Sequence, residues 1–365
     1  MLPHPGLARL NKILLFVILI SIVLYFGRGF FVLISFAGLL AMLMTPLSNK
    51  LENRGVSRVF SSVISVLIIV VLFSVVILLL SAQIGNIGKE LPYILLRYEE
   101  IKLDIQRWVN DSLGISSQQL RVHASDVFIN AGSFLTRFIK NTIAFIGSLF
   151  LVLVFIFLFL MQRNKYENFV VMLYQEEKRN EAKEMIDRIS RVAQQYLTGR
   201  LVAACIMGIL FLIGFLIIGL KNSVILSLIV AIMTIIPYVG ALIGGLVPFF
   251  ISIIDGTFNQ SIWVIIIILL VNVIDHYFIE PYVVGGSVNI SPFFTIFVLI
   301  LGGIIWGIAG IVLFLPLSGI LKIVFENVQG LQPYASLIGD QRDSSKPKNS
   351  WANFKRIFSR RKKGE

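Results

Sequence analysis

The chain has 365 residues, 57% hydrophobic and 14% charged, with a formal net charge of +12 and a mean hydropathy of +0.87. Soluble domains average about 45–50% apolar and about 25% charged residues, so a soluble globular protein is excluded in favour of a multi-span membrane protein. The positive charge does not mark a nucleic-acid binder: Lys and Arg sit beside apolar runs and in the tail, where cytoplasmic loops keep them.

Cys205 is alone, so an intrachain disulfide, a CxxC pair and a thiolate metal cluster are all out of reach. It reads as a small apolar residue inside a helix. Arg9 and Lys12 precede the first apolar stretch, Ile13–Phe26, in the manner of a signal peptide. A small-residue cleavage site does not follow, so residues 1–82 are read as N-terminal membrane segments beginning with an uncleaved span. Only Gly27-Arg28 separates apolar stretches 13–26 and 29–46, which predicts a tight hairpin with both ends cytoplasmic. Lys50, Arg54 and Arg58 then cluster as an inside loop does.

Residues 83–140 form a polar, extracytoplasmic helical insert. Leu91, Ile94, Leu95, Tyr98, Ile101, Ile105 and Trp108 recur at helical spacing within it, an amphipathic helix rather than a span. One span, 141–161, follows. Residues 162–200 read as cytoplasmic amphipathic linker helices lying along the membrane, with Glu184 and Arg188 as an i,i+4 pair. The tail, 327–365, is basic and cytoplasmic. Trp351, Phe354 and Phe358 sit at i, i+3 and i+7 before "SRRKKGE", as in a membrane-surface anchor.

The membrane core falls in 201–326, and two of its apolar stretches are unusual. Segment 223–254 and segment 292–325 are each too long for one span of about 20 residues and short for two. The first contains "IPYVGALIGGLVPFF"; the region before the second reads "EPYVVGGSVNISPFF". The fold class expected is an all-α polytopic membrane protein of about eight membrane segments, these two broken or re-entrant. Kinked spans and hairpins both satisfy an even number of crossings. Broken helices survive at membrane depth only where protein buries them or a watery cavity meets them, and in transporters paired Gly/Pro breaks point to the substrate site. The competing reading is close packing, because Gly240/Gly244 and Gly303/Gly307 are GxxxG pairs.

Between the breaks lies "VNVIDHYFIEPYVVGG". Asn272, His276 and Glu280 recur every four residues and share a helix face, with Asp275 at its edge. Ionisable groups inside apolar runs are functional candidates, because stranding one in lipid is costly. A carboxyl taken out of water favours its neutral form, so Asp275 or Glu280 could exchange a proton for a cation. The bland alternative is a solvated interfacial cluster, since Glu280 precedes Pro281 and a helix end. HExxH, GxGxxG, Walker A and GxSxG patterns are all missing from the sequence, so neither an enzyme nor an ATP-driven pump is expected, nor any cofactor or metal.

"YLTGRLVAACIMG", "IPYVGALIGGLVPFF" and "DHYFIEPYVVGGSVNISPFFTIFVLILGGIIWGIAGIVLFLPLSGI", in that order, resemble the autoinducer-2 exporter family of bacterial membrane proteins, the PerM-like permeases. The resemblance runs from about residue 10 to 326. It implies a multi-pass plasma-membrane secondary transporter, commonly of eight spans and able to form homo-oligomers. Family substrates range from autoinducer-2 to sodium and protons, so a small polar solute and/or Na+/H+ is expected as cargo and the lipid bilayer as surroundings. The substrate or ion pathway is placed at Pro237, Tyr238, Gly240, Gly244, Asn272, Asp275, His276, Glu280, Pro281, Gly285, Gly286, Ser287, Asn289, Ser291 and Pro292. Gly303, Gly307 and Gly310 are assigned to helix packing. Efflux by alternating access is the function expected; an oligomeric passive channel and a non-transporting envelope scaffold are the alternatives.

Overall fold

The computed structural model describes residues 5–96, 149–237, 239–255, 258–284 and 289–339. Every element there is helical apart from one isolated β-bridge, which makes the chain an all-α polytopic membrane protein. The helices are α1 (Pro5–Phe26), α2 (Arg28–Glu52), α3 (Arg58–Leu96), α4 (Leu149–Met172), α5 (Arg179–Ile217), α6 (Ser223–Met233), α7 (Gly240–Asp255) and α8 (Phe258–Ile274). A π-helical segment, Asp275–Val284, continues α8; α9 (Pro292–Trp306), α10 (Ile308–Asn327) and α11 (Gln332–Ile338) complete the chain. Among the described residues, six helices are long and apolar enough to cross a bilayer. Large apolar side chains such as Phe26, Phe60, Phe150, Ile217 and Ile304 stand exposed around them, as a lipid-facing surface requires.

The hairpin expected at Gly27-Arg28 does not form. The Gly27 N–H donates to Val23 O at 2.8 Å and the Phe31 N–H to Gly27 O at 3.0 Å, so helical bonding runs through the glycine. Gly27 itself stays close to helical dihedrals (φ −83°, ψ 9°). One glycine costs a helix about 1 kcal/mol, which two flanking apolar helices absorb as long as its φ stays negative. The parity reasoning that put the N-terminus in the cytoplasm thereby loses its premise.

Polar stretch 162–200 runs on into the apolar helix that follows it. It comprises the last turns of α4, a short connection and the first half of α5, a 39-residue helix that continues to Ile217. Helix formers fill both halves of α5, and nothing between them stops the helix. Arg188 does not pair with Glu184. It reaches α10, where its Nη2 lies 3.0 Å from Glu326 Oε2, while Lys322 Nζ lies 3.2 Å from Glu326 Oε1. Most of the predicted amphipathic helix of 91–108 and the whole Trp351–Phe358 anchor fall outside the described residues.

Two cores hold the bundle. Ala37 and Ala41 of α2, Ile69 of α3, and Val152, Ile156 and Leu160 of α4 form one. Glu52 closes its end: Arg163 Nη2 sits 2.6 Å from Glu52 Oε2, and Arg163 Nη1 donates to the buried Ser48 hydroxyl at 3.0 Å. The larger core joins Tyr196, Met207, Phe211 and Phe215 of α5 to Leu226 and Val230 of α6, Ala241 and Ile251 of α7, Val264 and Ile268 of α8, and Leu315 of α10. Leu39, Ala193 and Leu313 join the two cores.

Both long broken segments fold back as helical hairpins. In the first, the chain turns between α6 and α7 after Thr234–Pro237. A Cβ on Gly240 would overlap the Met233 carbonyl, and one on Gly244 would fall 2.7 Å from Met233 Cβ and 3.0 Å from Val230 Cα. In the second, Gly307 turns the chain at φ +64°, and a Cβ on Gly302 would fall 2.6 Å from Gly310 O. Trp306 and Phe314 stack edge-to-face across it, with centroids 5.0 Å apart. Kinked spans are ruled out because these contacts bring residues from either side of each break into touch.

The hairpins point in opposite directions. Gln260 Nε2 donates to Ile218 O at 3.1 Å, so the α5–α6 connection and the start of α8 share one end of the molecule. The Arg188–Glu326 pair, and the Ser291 N–H donating to Ile338 O at 2.9 Å, mark the other end. The α6–α7 hairpin opens at the first end and the α9–α10 hairpin at the second, so each turn is directed toward the other's open end. Substituting Gly310→Ala should destabilise the protein by about 1–3 kcal/mol, the cost of overpacking a tight contact. Gly303→Ala, whose Cβ would meet Ile311 at an ordinary 3.4 Å, should be nearly silent. Thermal unfolding in detergent, followed by size-exclusion chromatography, checks both.

Candidate functional site

The turn of the first hairpin leaves the carboxyl end of α6 without helical partners inside the core. Such orphan carbonyls need donors, since an unpaired buried backbone group costs about as much as a lost hydrogen bond. Arg200, on α5, supplies them. Its Nε donates to Ile235 O at 3.3 Å and its Nη2 to Thr234 O. Two bonds within the turn add to these: Gly240 N–H donates to Ile236 O at 3.1 Å and Val239 N–H to Pro237 O at 2.7 Å. Pro237 is fully buried at the turn, where its missing N–H leaves nothing to satisfy. The guanidinium also opposes the negative end of the α6 dipole.

Asp275 faces the same place from the π-helical segment, which packs along α5. The residue is 6% exposed, as is Arg200. Its Oδ1 is buried with no hydrogen-bond partner. Arg200 is near enough for its positive charge to act on Asp275, and Glu280 and His276 act on it from its own segment. A buried carboxyl with an unfilled oxygen, beside a buried guanidinium committed to backbone carbonyls, is the most demanding electrostatic arrangement among the described residues.

The rest of the predicted cluster is divided by the π-helical winding. His276 Nδ1 lies 3.1 Å from Glu280 Oε2, and this pair sits on the outer side, with its side chains 36% and 23% exposed. Tyr277, Phe278 and Tyr282 around it are exposed too. Pro281 helps to explain the winding: its ring collides with the carbonyl four residues back in an α-helix, and a wider turn relieves that clash. Asn272 Nδ2 donates to Ile268 O at 3.0 Å within its own helix.

Beyond the π-helical segment, Asn289 adopts φ +44°. Ser291 accepts from the Phe294 N–H at 3.4 Å and so caps α9, with Pro292 in the first turn. Gly240 and Gly244 press α7 onto α6. Gly302 and Gly310 make the close approach in the second hairpin, Gly307 its turn, and Gly303 only ordinary contact. Tyr238, Gly285, Gly286 and Ser287 lie outside the described residues. Arg200 is the residue that sequence reasoning missed. It stood at the border drawn between a linker and a span, yet an arginine opening the apolar run "LVAACIMG" is itself a mark of function.

The sequence profile described as AI-2E family transporter matches residues 14–330. A protein of Bacillus subtilis (strain 168) named "Putative transport protein YueF" is 24% identical over 309 residues, covering 80% of this chain and 82% of the relative. The AI-2 transport protein TqsA of Escherichia coli (strain K12) is 29% identical over 105 residues, covering 29% of this chain and 30% of TqsA. The YrrI protein of Bacillus subtilis (strain 168) is 30% identical over 129 residues, 35% of this chain and 36% of its own length.

Ser291→Ala should lower stability by about 1 kcal/mol, the usual worth of an N-cap hydroxyl. If capping is its whole role, transport by the folded fraction should not change; a loss of flux larger than the loss of folded protein would assign the hydroxyl to the pathway.

Proposed function

This chain belongs to the AI-2E family of transporters and is a multi-pass membrane protein; on that footing we propose that it is a secondary active transporter. It moves a small polar solute or cation out of a bacterial cell by alternating access, and Asp275 is its coupling group. Two features support the reading. Two helical hairpins of opposite direction meet in the bundle, the arrangement that paired broken helices take around transporter sites. Asp275 is buried beside one hairpin turn with an oxygen free to take a proton or a cation. The exposed His276–Glu280 pair, on the outer face, is the weaker candidate for the same task.

The first of these is shared by many folds; the unfilled Asp275 oxygen carries the proposal. Loading and unloading a proton there exchanges a neutral carboxyl for a charge in a poorly hydrated core, a large change in local energy. Na+ is the other ion that a carboxylate at this place would accept. Homo-oligomerisation and a plasma-membrane location complete the reading. The Lys50, Arg54, Arg58, Arg163 and Arg188 cluster lies at the Arg188–Glu326 end of the molecule, which on the positive-inside rule faces the cytoplasm.

In proteoliposomes under a proton or sodium gradient, Asp275→Asn should reduce coupled flux at least about tenfold, the value of one charge-assisted contact. Glu280→Gln should cost less. Intact coupled flux in Asp275→Asn would remove the assignment. Single-channel currents insensitive to the gradient would replace the transporter with a passive channel.

A further inference from the structure

We infer that Arg200 is a positioning residue for transport, a latch that holds the turn of the α6–α7 hairpin while Asp275 is neutral and lets it go when Asp275 is charged. The inference rests on the coupling role proposed for Asp275, but it concerns a different residue and a different observable.

The geometry that carries it is a competition for one guanidinium. Nε and Nη2 of Arg200 are spent on Ile235 O and Thr234 O, the last carbonyls of a helix interrupted inside the core. Asp275 approaches from the π-helical segment with Oδ1 buried and unbonded. Neutral carbonyls and an ionised carboxylate are unequal rivals. A charge-assisted bond is roughly twice as strong as a neutral one, and a buried ionised carboxylate without a partner is among the most costly groups a core can hold. When Asp275 carries a proton that demand vanishes, and the guanidinium stays on the carbonyls, as in the structure described. When the proton leaves, the guanidinium is drawn to Asp275 and the α6 carbonyls lose their donors.

Among the described residues, the charged and titratable groups bearing on Asp275 are Arg200 from α5, and His276 and Glu280 from its own segment, paired with each other. Tyr196, one turn before Arg200, is buried in the same core. The turn released is that of the hairpin whose open end lies at Ile218, so its mobility is what alternating access at this site would use. Arg200 fits the task better than a lysine, because its fork bonds two carbonyls at once and can be redirected without losing its charge.

Hydrogen–deuterium exchange of the peptide spanning 230–244, read by mass spectrometry in nanodiscs, tests the latch without reference to flux. Rates are expressed as the ratio of parent to Asp275→Asn at each pH, so that the intrinsic chemistry of exchange cancels. Across about pH 3 to about pH 8, the range that spans ordinary carboxyl and histidine titration, the ratio should rise from near unity to at least about tenfold, the worth of a charged hydrogen bond. Arg200→Gln should exchange fast at every pH, and Arg200→Gln with Asp275→Asn should match Arg200→Gln alone. Should Arg200→Gln not assemble, Arg200→Lys replaces it: at low pH it should exchange faster than the parent, because it cannot bond both carbonyls, and its rise with pH should stay below tenfold. A flat ratio would show that Arg200 serves both partners at once as a fixed clamp, and would overturn the inference. Lost coupled flux in Asp275→Asn with a flat ratio leaves the coupling role standing and the latch refuted. A rising ratio with intact flux does the reverse.

Discussion

A single guanidinium decides whether this bundle can contain a broken helix. The α6–α7 hairpin ends one helix at the buried Thr234 and the half-buried Ile235, whose carbonyls have no helical donor. Arg200 donates to both. Without it the hairpin would expose two orphan acceptors to the core, and the 223–254 segment would gain by straightening into a span. With it, the chain can turn early, α7 can run back along α6 on Gly240 and Gly244, and α8 can bring Asp275 beside the turn. The hairpin, the glycine contacts and the acidic site therefore depend on one side chain from another helix.

Glycine does two different jobs here. In the first hairpin, a side chain at 240 or 244 would strike Met233 and Val230, so these glycines set the distance between two helices. In the second, Gly302 and Gly310 set the distance, while Gly307 supplies a backbone conformation that an L residue avoids. Association of helices in lipid has little hydrophobic drive, and close approach with good van der Waals contact takes its place. The packing reading and the transport reading of the breaks are thus not rivals. Close packing makes the hairpins, and the hairpins put a buried acid beside a turn.

Charge elsewhere marks the ends of the molecule. Arg163–Glu52 with Ser48 closes the α2–α3–α4 bundle, and Arg188–Glu326–Lys322 ties the first half of α5 to the end of α10. Both lie at the same end and are partly exposed, so each contributes little to stability compared with the buried Arg200–Asp275 region. Their basic partners give that end its positive bias.

Much of this was legible in the sequence. Long apolar runs require membrane spans, since lipid offers no partner to an open backbone, and this settled the all-α class. The two Pro/Gly-interrupted stretches announced where helices end, and "VNVIDHYFIEPYVVGG" announced where charge is buried. Other questions were decided only by tertiary structure, because they depend on contacts between residues far apart in the chain. Whether a 32-residue apolar stretch kinks or folds back turns on a donor 34 residues earlier, and local pattern holds no record of it. Gly27-Arg28 looked like a turn but only bends a helix, because Gly27 keeps a negative φ and its i→i−4 bonds, whereas Gly307 turns to a positive φ. The period-four face of Asn272, His276 and Glu280 assumed α-helical winding, whereas the π-helical winding around Pro281 turned Asp275 inward and the His276–Glu280 pair outward. Residue types and spacing determined which side chains could act; the path of the helices decided which one is buried beside the break.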